Sequence, residues 1–257
     1  MFPTTTLTLI GGPTLLIEFN GLRLLTDPTF DVPGVYPSGS ITLTKTTGPE
    51  LASTDLLPID AVLLSHDQHA DNLDRAGRAF LPSAGATLTT PAGARRLAGN
   101  ASGLAPWETI TVGSGSERVL VTAAPARHGP AGIEPISGDV TGFLIGVEQP
   151  GDAIYVTGDT VWFDGINEVA RRFRPRLIIA FAGSAETARG PFHLTMDSND
   201  VIEAAHAFPA ARIVAIHNEG WEHFRESAAD LAQAMSALGV GDRLMPIEKG
   251  RPLQLQL

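Results

Sequence analysis

The segment from residue 66 to residue 74 has the highest density of side chains that could perform chemistry. Its nine positions include two histidines and three aspartates, namely His66, Asp67, His69, Asp71 and Asp74. Imidazole and carboxylate groups together suit Zn²⁺, Mn²⁺ or iron, so the segment is a candidate metal-binding loop. The alternative interpretation is a solvated acidic turn in which Asp71 or Asn72 caps a helix.

Three other apolar segments are each followed by one potential metal ligand. The residues in these positions are His128, Asp159 and His217. A lone histidine after a strand is more often structural, but compatible ligands after four strands favour a shared site. Since the chain contains no cysteine, any metal must be held by nitrogen and oxygen donors.

Short apolar runs separated by turns predict the strands that position these residues. The predicted strands cover residues 7–10, 15–19, 22–27, 61–65, 109–112, 119–124, 140–147, 154–157, 177–181, 212–216 and 244–247. Helical periodicity predicts helices at residues 91–97, 165–173, 197–207 and 226–238, the third with Asp197 as its N-cap. The dipeptide Asn20-Gly21 predicts a tight hairpin. This mixture predicts an α/β domain in which two sheets are covered by helices.

Residues 28–58 differ in character from the strands on either side. They contain five prolines together with several glycines and threonines, which predicts a long irregular loop. Such a loop inside a folded domain is usually either functional or disordered. We therefore expect this segment to be a substrate lid, with Tyr36 near its middle.

The composition excludes several classes of protein. With 257 residues and 43% hydrophobic side chains, the chain can bury a substantial core, so disorder is not its main state. The net charge of -10 argues against nucleic-acid binding. The apolar runs fall short of the roughly 20 residues of a membrane-spanning helix. We expect a cytoplasmic protein that acts on a small molecule. The sequence does not decide between a monomer and a homo-oligomer.

Over nearly its whole length the chain resembles the metallo-β-lactamase-fold hydrolases, and among them the ascorbate-6-phosphate lactonase-like branch. The segment 65–74 resembles the metal loop of that family, His-x-His-x-Asp-His, and residues 25–28 resemble the start of the branch. His128, Asp159 and His217 match the later ligands in order and spacing. The resemblance implies one domain over residues 1–257, a four-layer αββα sandwich with two mixed sheets and the metals at one edge.

The metal loop departs from the family pattern at two positions. Counting back from Asp71 places His69 at the second histidine position, Asp67 at the first and Asn72 at the last, while His66 is one residue early. The resemblance then implies one pocket of His66 or Asp67 with His69, His128 and Asp159, and a second of Asp71, Asn72, Asp159 and His217. Because an amide is a weaker ligand than imidazole, we expect one firmly bound Zn²⁺ or Mn²⁺ and a second that is weak or absent.

The activity implied by the resemblance is metal-dependent hydrolysis of a small molecule such as a lactone, ester or phosphoester. Asp71 would orient the attacking water or accept its proton. His193, in a segment that also resembles the branch, would protonate the leaving group, unless it merely flanks the next helix. The aromatic residues expected to line a substrate pocket, or else to pack in the core, are Tyr36, Trp162, Phe192 and Trp221. The competing hypotheses are a binding protein with a degenerate metal site and a nuclease of the same fold.

Overall fold

The computed structural model describes residues 4–38, 41–188 and 190–257. In chain order its strands are β1 (Thr4–Gly11), β2 (Thr14–Phe19), β3 (Leu22–Thr26), β4 (Gly34–Ser38), β5 (Ile41–Lys45), β6 (Ala61–Leu63), β7 (Ala86–Thr89), β8 (Ala101–Gly103), β9 (Thr109–Ser114), β10 (Glu117–Pro125), β11 (Thr141–Gly146), β12 (Ile154–Val156), β13 (Leu177–Phe181), β14 (Arg212–Ile216) and β15 (Leu253–Gln256). Its helices are α1 (Arg75–Phe80), α2 (Pro91–Leu97), α3 (Glu134–Ser137), α4 (Asp164–Arg172), α5 (Ser198–Ala207) and α6 (Ala228–Ala237).

Two mixed sheets and one separate hairpin contain these strands. One sheet has seven strands in the order β15-β1-β2-β3-β6-β7-β8, and the other has six in the order β14-β13-β12-β11-β10-β9. The strands β4 and β5 form the hairpin. Parallel pairing joins β3 to β6 in the first sheet and β12 to β13 to β14 in the second. The residues that follow β12 and β14 therefore leave the second sheet at the same edge.

Both sheets are apolar on both faces, because successive side chains of a strand point in opposite directions. Leu24 and Ile179 lie in the core between the two sheets. Their neighbours Leu25 and Ile178 lie in two outer cores, the first with Phe80 of α1 and the second beneath α4, α5 and α6. The result is a four-layer arrangement of helix, sheet, sheet and helix, which confirms the predicted fold class.

The helices are short, and four of the six, α1, α2, α5 and α6, are capped by side chains. Oδ1 of Asp197 accepts a hydrogen bond from the Asp200 amide at the start of α5 (2.9 Å), which confirms the predicted N-cap. Ser227 and Asp230 form a capping box at the start of α6. Both α5 and α6 have ten residues. Among the described residues, no helix has the length and apolar character needed to cross a membrane.

Two predictions about the elements are wrong, and several short elements were not predicted. Residues 28–58 are not one irregular loop, because they contain the β4–β5 hairpin and a 3₁₀ turn at Ser53–Leu56. Residues 244–247 do not form a strand; Leu244 makes a single bridge to Ile213, and the last strand is β15. The elements β7, β8 and α1 lie where the sequence predicted none, since each is too short to show a clear period.

Candidate metal centre

The loop after β6 is held by hydrogen bonds that direct His66 towards the interior. The Ser65 amide donates to Oδ1 of Asp27 (2.6 Å), and Ser65 Oγ lies 2.9 Å from Nδ1 of His66. The other ring nitrogen of His66, Nε2, lies 2.9 Å from Nδ1 of His69. Burial, together with the charge of Asp159, raises the pKa of Asp27 well above its ordinary value. The hydrogen bonds of Asp27 and Ser65 thus fix the orientation of the His66 ring.

The first group of potential ligands consists of His66, His69 and His128, which each offer one nitrogen within 4.8 Å of the others. His128 follows β10, and its Nδ1 lies 2.8 Å from the carbonyl oxygen of Leu194. This contact is a hydrogen bond when Nδ1 carries the proton, which leaves Nε2 to bind a metal. His128 Nε2 lies 3.1 Å from His69 Nδ1. Burial and the neighbouring His69 lower the pKa of His66, which favours the neutral, ligating form.

The second group consists of Asp71, Asp159 and His217, again with one ligand atom each within 4.8 Å of the others. His217 follows β14 in the left-handed region, with φ at +58°, an uncommon conformation for a residue other than glycine. Its Nδ1 lies 3.1 Å from Asp159 Oδ1, and its Nε2 lies 3.6 Å from Asp71 Oδ2. The other oxygen of Asp159, Oδ2, lies 3.6 Å from His128 Nε2. Asp159 therefore presents one carboxylate oxygen to each group.

Electrostatic interactions within the second group are strong because all three side chains are buried. Burial alone would lower the pKa of His217, but Asp159 and Asp71 raise it to about 10. Burial alone would raise the pKa values of Asp71 and Asp159, but the interactions with His217 lower both. The left-handed backbone conformation of His217 and the shifted pKa values thus occur in the same group of residues. Both features are common at functional sites.

The structure brings His66, not Asp67, to the first group. Asp67 turns to α2, where both of its carboxylate oxygens accept hydrogen bonds from Nε of Arg96 (3.1 and 3.0 Å). Asn72, predicted at the last ligand position, donates from Nδ2 to Oδ1 of Asp159 (3.1 Å). These contacts give Asp67 and Asn72 orienting roles and leave no place for Asp67 in either group.

The side chain of His223 was assigned no role from the sequence, yet it lies at this centre. Its Nε2 is 3.0 Å from Oδ2 of Asp71. The sequence signal for it is weak, since it stands six positions after His217 in a polar and aromatic segment. Glu219, in the same segment, lies elsewhere: it accepts a hydrogen bond from the Gly12 amide (2.8 Å) and pairs with Lys249 (3.1 Å).

A narrow chamber of about 20 Å³ opens over both groups. Four potential metal ligands, His69, Asp71, His128 and His223, line it. The other described lining residues are apolar or carry a hydroxyl group: Ser38, Ile41, Leu43, Ile133, Ser137, Ala185, Thr187 and Leu194. A second, much larger cavity of about 360 Å³ shares four residues with the chamber and adds charged ones such as Glu186 and Arg225. Apart from the potential ligands, the chamber lining is thus mainly apolar, and it becomes more polar towards the second cavity.

The aromatic residues predicted to line a substrate pocket are absent from the described lining of this chamber. Trp221 is buried, with its ring centroid 6.3 Å from that of Tyr36. Trp162 packs against the outer core beneath α4 to α6. Phe192 packs behind the chamber wall, against Ile133 and its neighbours. Core packing therefore describes Trp162, Phe192 and Trp221 better than substrate contact does.

His193 lies apart from both groups of ligands. Its Nδ1 is 3.8 Å from Asp197 and its Nε2 is 3.4 Å from Asp200, at the start of α5. The hydrogen bond to Asp200 and the charge of Asp197 raise its pKa against the effect of burial. His193 is not among the described residues that line the chamber. Its role as a proton donor stays a prediction.

A buried ion pair joins the β4–β5 hairpin to the metal loop. Lys45 Nζ lies 3.1 Å from Oδ2 of Asp74, and both side chains are at most 4% exposed. Oδ1 of the same carboxylate accepts the Gly77 amide and caps α1. Lys45 also lies 5.5 Å from the centre of the Trp221 ring. The hairpin is thereby held against both the loop 66–74 and the segment after His217.

Comparisons with known proteins found relatives that match nearly the whole chain. A UPF0173 protein of Bacillus subtilis (strain 168), YddR, is 26% identical over 254 residues, which cover 95% of this chain and 97% of that protein. An isothiocyanate hydrolase from Delia radicum gut bacteria has a similar structure, with a TM-score of 0.81, 24% identity, and coverage of 96% of this chain and 98% of that one. A possible metal-dependent hydrolase from Veillonella parvula DSM 2008 superposes with a TM-score of 0.86 at 20% identity, over 98% of this chain and 100% of that one.

The two solved structures show the fold alone, since both are less than 25% identical to this chain. The family assignment comes from the sequence. Residues 22–218 match the sequence model of the family described as beta-lactamase superfamily domain. That match includes the loop 66–74, His128, Asp159 and His217. The chain belongs to the beta-lactamase superfamily domain family and has the metallo-β-lactamase fold.

Proposed function

We propose that this protein is a hydrolase that uses divalent metal ions to cleave a small molecule. The observation that carries the proposal is Asp159, whose two carboxylate oxygens face two separate groups of ligands beside one chamber. Metal centres that activate water for hydrolysis commonly hold two cations that share a ligand. The family of the chain and the hydrolases among its structural relatives support the same reaction class.

The residues present fit a cation, because several of their buried polar atoms lack a hydrogen bond. These atoms are Oδ1 of Asp71, Oδ1 of Asn72 and Oδ2 of Asp159. A buried polar atom without a partner costs about 1–3 kcal/mol, so a cation bound among these atoms would offset that cost. The donors are nitrogen and oxygen only, which suits Zn²⁺ or Mn²⁺.

The proposed ligands of the first metal are His66, His69, His128 and Asp159. The second metal would share Asp159 and add Asp71 and His217. Cations held by these residues would lower the pKa of a nearby water towards about 7 and would polarise a substrate oxygen. The chain itself supplies a base, since Asp71 has one carboxylate oxygen, Oδ1, that is buried without a hydrogen bond. This oxygen can accept the proton of the attacking water.

The walls of the chamber favour an uncharged substrate over a phosphoester. Of the described lining residues, Ile41, Leu43, Ile133 and Leu194 are apolar, and none is a lysine or an arginine. A phosphate group would leave these walls without a cation for its outer oxygens. A lactone or a neutral ester is therefore the preferred class. The β4–β5 hairpin supplies Ile41 and Leu43, in keeping with the proposed substrate lid.

A substrate panel with controlled metal content tests the proposal. We expect protein purified without chelator to hydrolyse a lactone, an aryl ester or an isothiocyanate, the last because a structural relative is an isothiocyanate hydrolase. Chelation should abolish the turnover, and Zn²⁺ or Mn²⁺ should restore it. His128→Ala should lose both bound metal and turnover, whereas the exposed His206→Ala should retain them. Turnover that survives complete removal of metal would contradict the proposal, and tight metal binding without any turnover would favour the binding-protein alternative.

A further inference from the structure

The second group of ligands lacks the imidazole that the family pattern places at position 72. Asn72 stands there, and its Nδ2 donates to Asp159 Oδ1 at 3.1 Å. An amide nitrogen that donates this hydrogen bond is not a metal ligand. The opposite orientation of the amide would bring its oxygen against a carboxylate oxygen, which is repulsive. The amide oxygen of Asn72, Oδ1, is buried without a hydrogen bond, but an amide oxygen is a weaker ligand than imidazole. The sequence therefore predicts a weak second metal site.

A different imidazole lies at this place, brought there by the segment after β14. Nε2 of His223 lies 3.0 Å from Asp71 Oδ2, and Nε2 of His217 lies 3.6 Å from the same oxygen. Donors about 2.0–2.1 Å from a zinc ion stand roughly 3.3 Å apart in a tetrahedron. Each of the two imidazole nitrogens therefore lies at about such a separation from Asp71 Oδ2.

His223 is held in this position by its surroundings. Its side chain is only 10% exposed. Its ring centroid lies 4.6 Å from that of Phe224 and 6.2 Å from that of Trp221, and its carbonyl oxygen accepts the Glu186 amide (3.0 Å). A side chain packed between two aromatic rings loses little further freedom on binding an ion, which favours ligation.

We infer that His223 supplies the missing imidazole and completes the second metal site in place of Asn72. The inference rests on the proposed function, since it takes the centre to be a metal site. The second site then has the donors Asp71, Asp159, His217 and His223, as many as the first. It binds its ion tightly, in contrast to the weak or absent second metal expected from the sequence.

The first test counts bound metal in the full-length protein after stripping and reloading with Zn²⁺. We expect two tightly bound equivalents in the wild type. His223→Ala should keep one and bind the other more than about 100-fold more weakly, a larger loss than an orienting partner causes. His206→Ala, a change at an exposed position of α5, is the matched control. Two equivalents of unchanged affinity in His223→Ala would overturn the inference, whereas a wild type that binds no Zn²⁺ would overturn the proposed function itself.

The second test detects the metal–ligand bond directly. Long-range ¹H–¹⁵N spectra report the state of each imidazole nitrogen, and the His223 signals are identified as those absent from His223→Ala. We expect the Nε2 signal of His223 to move to the position of a metal-bound nitrogen when the second equivalent of Zn²⁺ is added, whereas the signals of the exposed His206 should not move. An Nε2 signal of His223 that keeps the position of a free or protonated nitrogen in the fully loaded protein would mean that His223 only supports the site by packing, and the inference would be wrong.

Discussion

The carboxylate of Asp67 is held by Arg96, which lies 29 residues further along the chain. Nε of Arg96 donates to both carboxylate oxygens at 3.1 and 3.0 Å, and Arg78 donates to the backbone oxygen of Asp67 at 3.0 Å. Helices α1 and α2 thus hold the metal loop from outside. Because the buried carboxylate of Asp67 faces Arg96 of α2, its neighbour His66 faces the other candidate ligands.

Loss of the interaction between Arg96 and Asp67 should weaken metal binding without removing any proposed ligand. We expect Arg96→Ala to lower the affinity of the first site by about 10–100-fold, as is typical for partners that orient a metal ligand. Calorimetric titration with Zn²⁺ measures this effect. Arg95→Ala changes an adjacent exposed arginine on the same helix and should bind as the wild type does. Equal affinities in the two variants would show that Asp67 does not position His66.

The ion pair between Lys45 and Asp74 should matter for stability. Lys45→Met leaves the Asp74 carboxylate buried without its cation, which should cost about 3 kcal/mol in the free energy of unfolding. Urea unfolding measures the loss. Lys249→Met removes a half-buried pair with Glu219 and should cost less than about 1 kcal/mol. If the two variants are equally stable, the hairpin is not anchored through Lys45.

Metal binding should release a proton from His217. Since the pKa of this imidazole is raised to about 10, it is protonated at pH 8 and must lose its proton before it binds a metal. The apparent affinity for Zn²⁺ should therefore rise as the pH increases from 6 to 9. Calorimetry in buffers of different ionisation enthalpy counts the protons. An affinity that does not change with pH would contradict the charge state assigned to His217.

His193 should contribute a small, pH-dependent stabilisation. Asp200 and Asp197 raise its pKa in the folded protein above the unfolded value of about 6.5. The stabilisation is therefore complete below about pH 6.5 and is lost as the pH rises through the folded pKa. The side chain is 37% exposed, so the effect should stay below about 1 kcal/mol. His193→Asn should accordingly be less stable than wild type at pH 6 and equal to it at pH 9 in urea unfolding. A penalty that is the same at both pH values would rule out this role.

The sequence predicted the ligands that follow buried strands. His128, Asp159 and His217 each follow an apolar run, and such runs form strands from local pattern alone. The parallel pairing of β12, β13 and β14 then brings Asp159 and His217 to one edge. The fold class could be predicted for the same reason, because both faces of both sheets are apolar and their strands are continuous apolar runs.

The contributions of other residues to the candidate site depend on contacts with residues distant in sequence, so they could not be predicted from the local sequence pattern. The choice between His66 and Asp67 is decided by Arg96 in α2. The hairpin β4–β5 has the proline and threonine content of a loop, and it is held by the buried contact of Lys45 with Asp74. His223 points inward because it packs against Phe224 and Trp221. In each case the residue that fixes the position lies on another element or in an irregular segment. Such segments have no hydrophobic period from which a contact could be predicted.

The most direct test of the account is a crystal structure of the Zn²⁺-loaded protein with anomalous diffraction measured on both sides of the zinc edge. The account predicts two peaks. One should lie within bonding distance of His66, His69 and His128, and the other of Asp71, His217 and His223, with Asp159 between them. The absence of any peak at these residues in crystals supplied with zinc would contradict the metal-dependent hydrolase. A single peak beside the three histidines would keep a metal site but refute the second one.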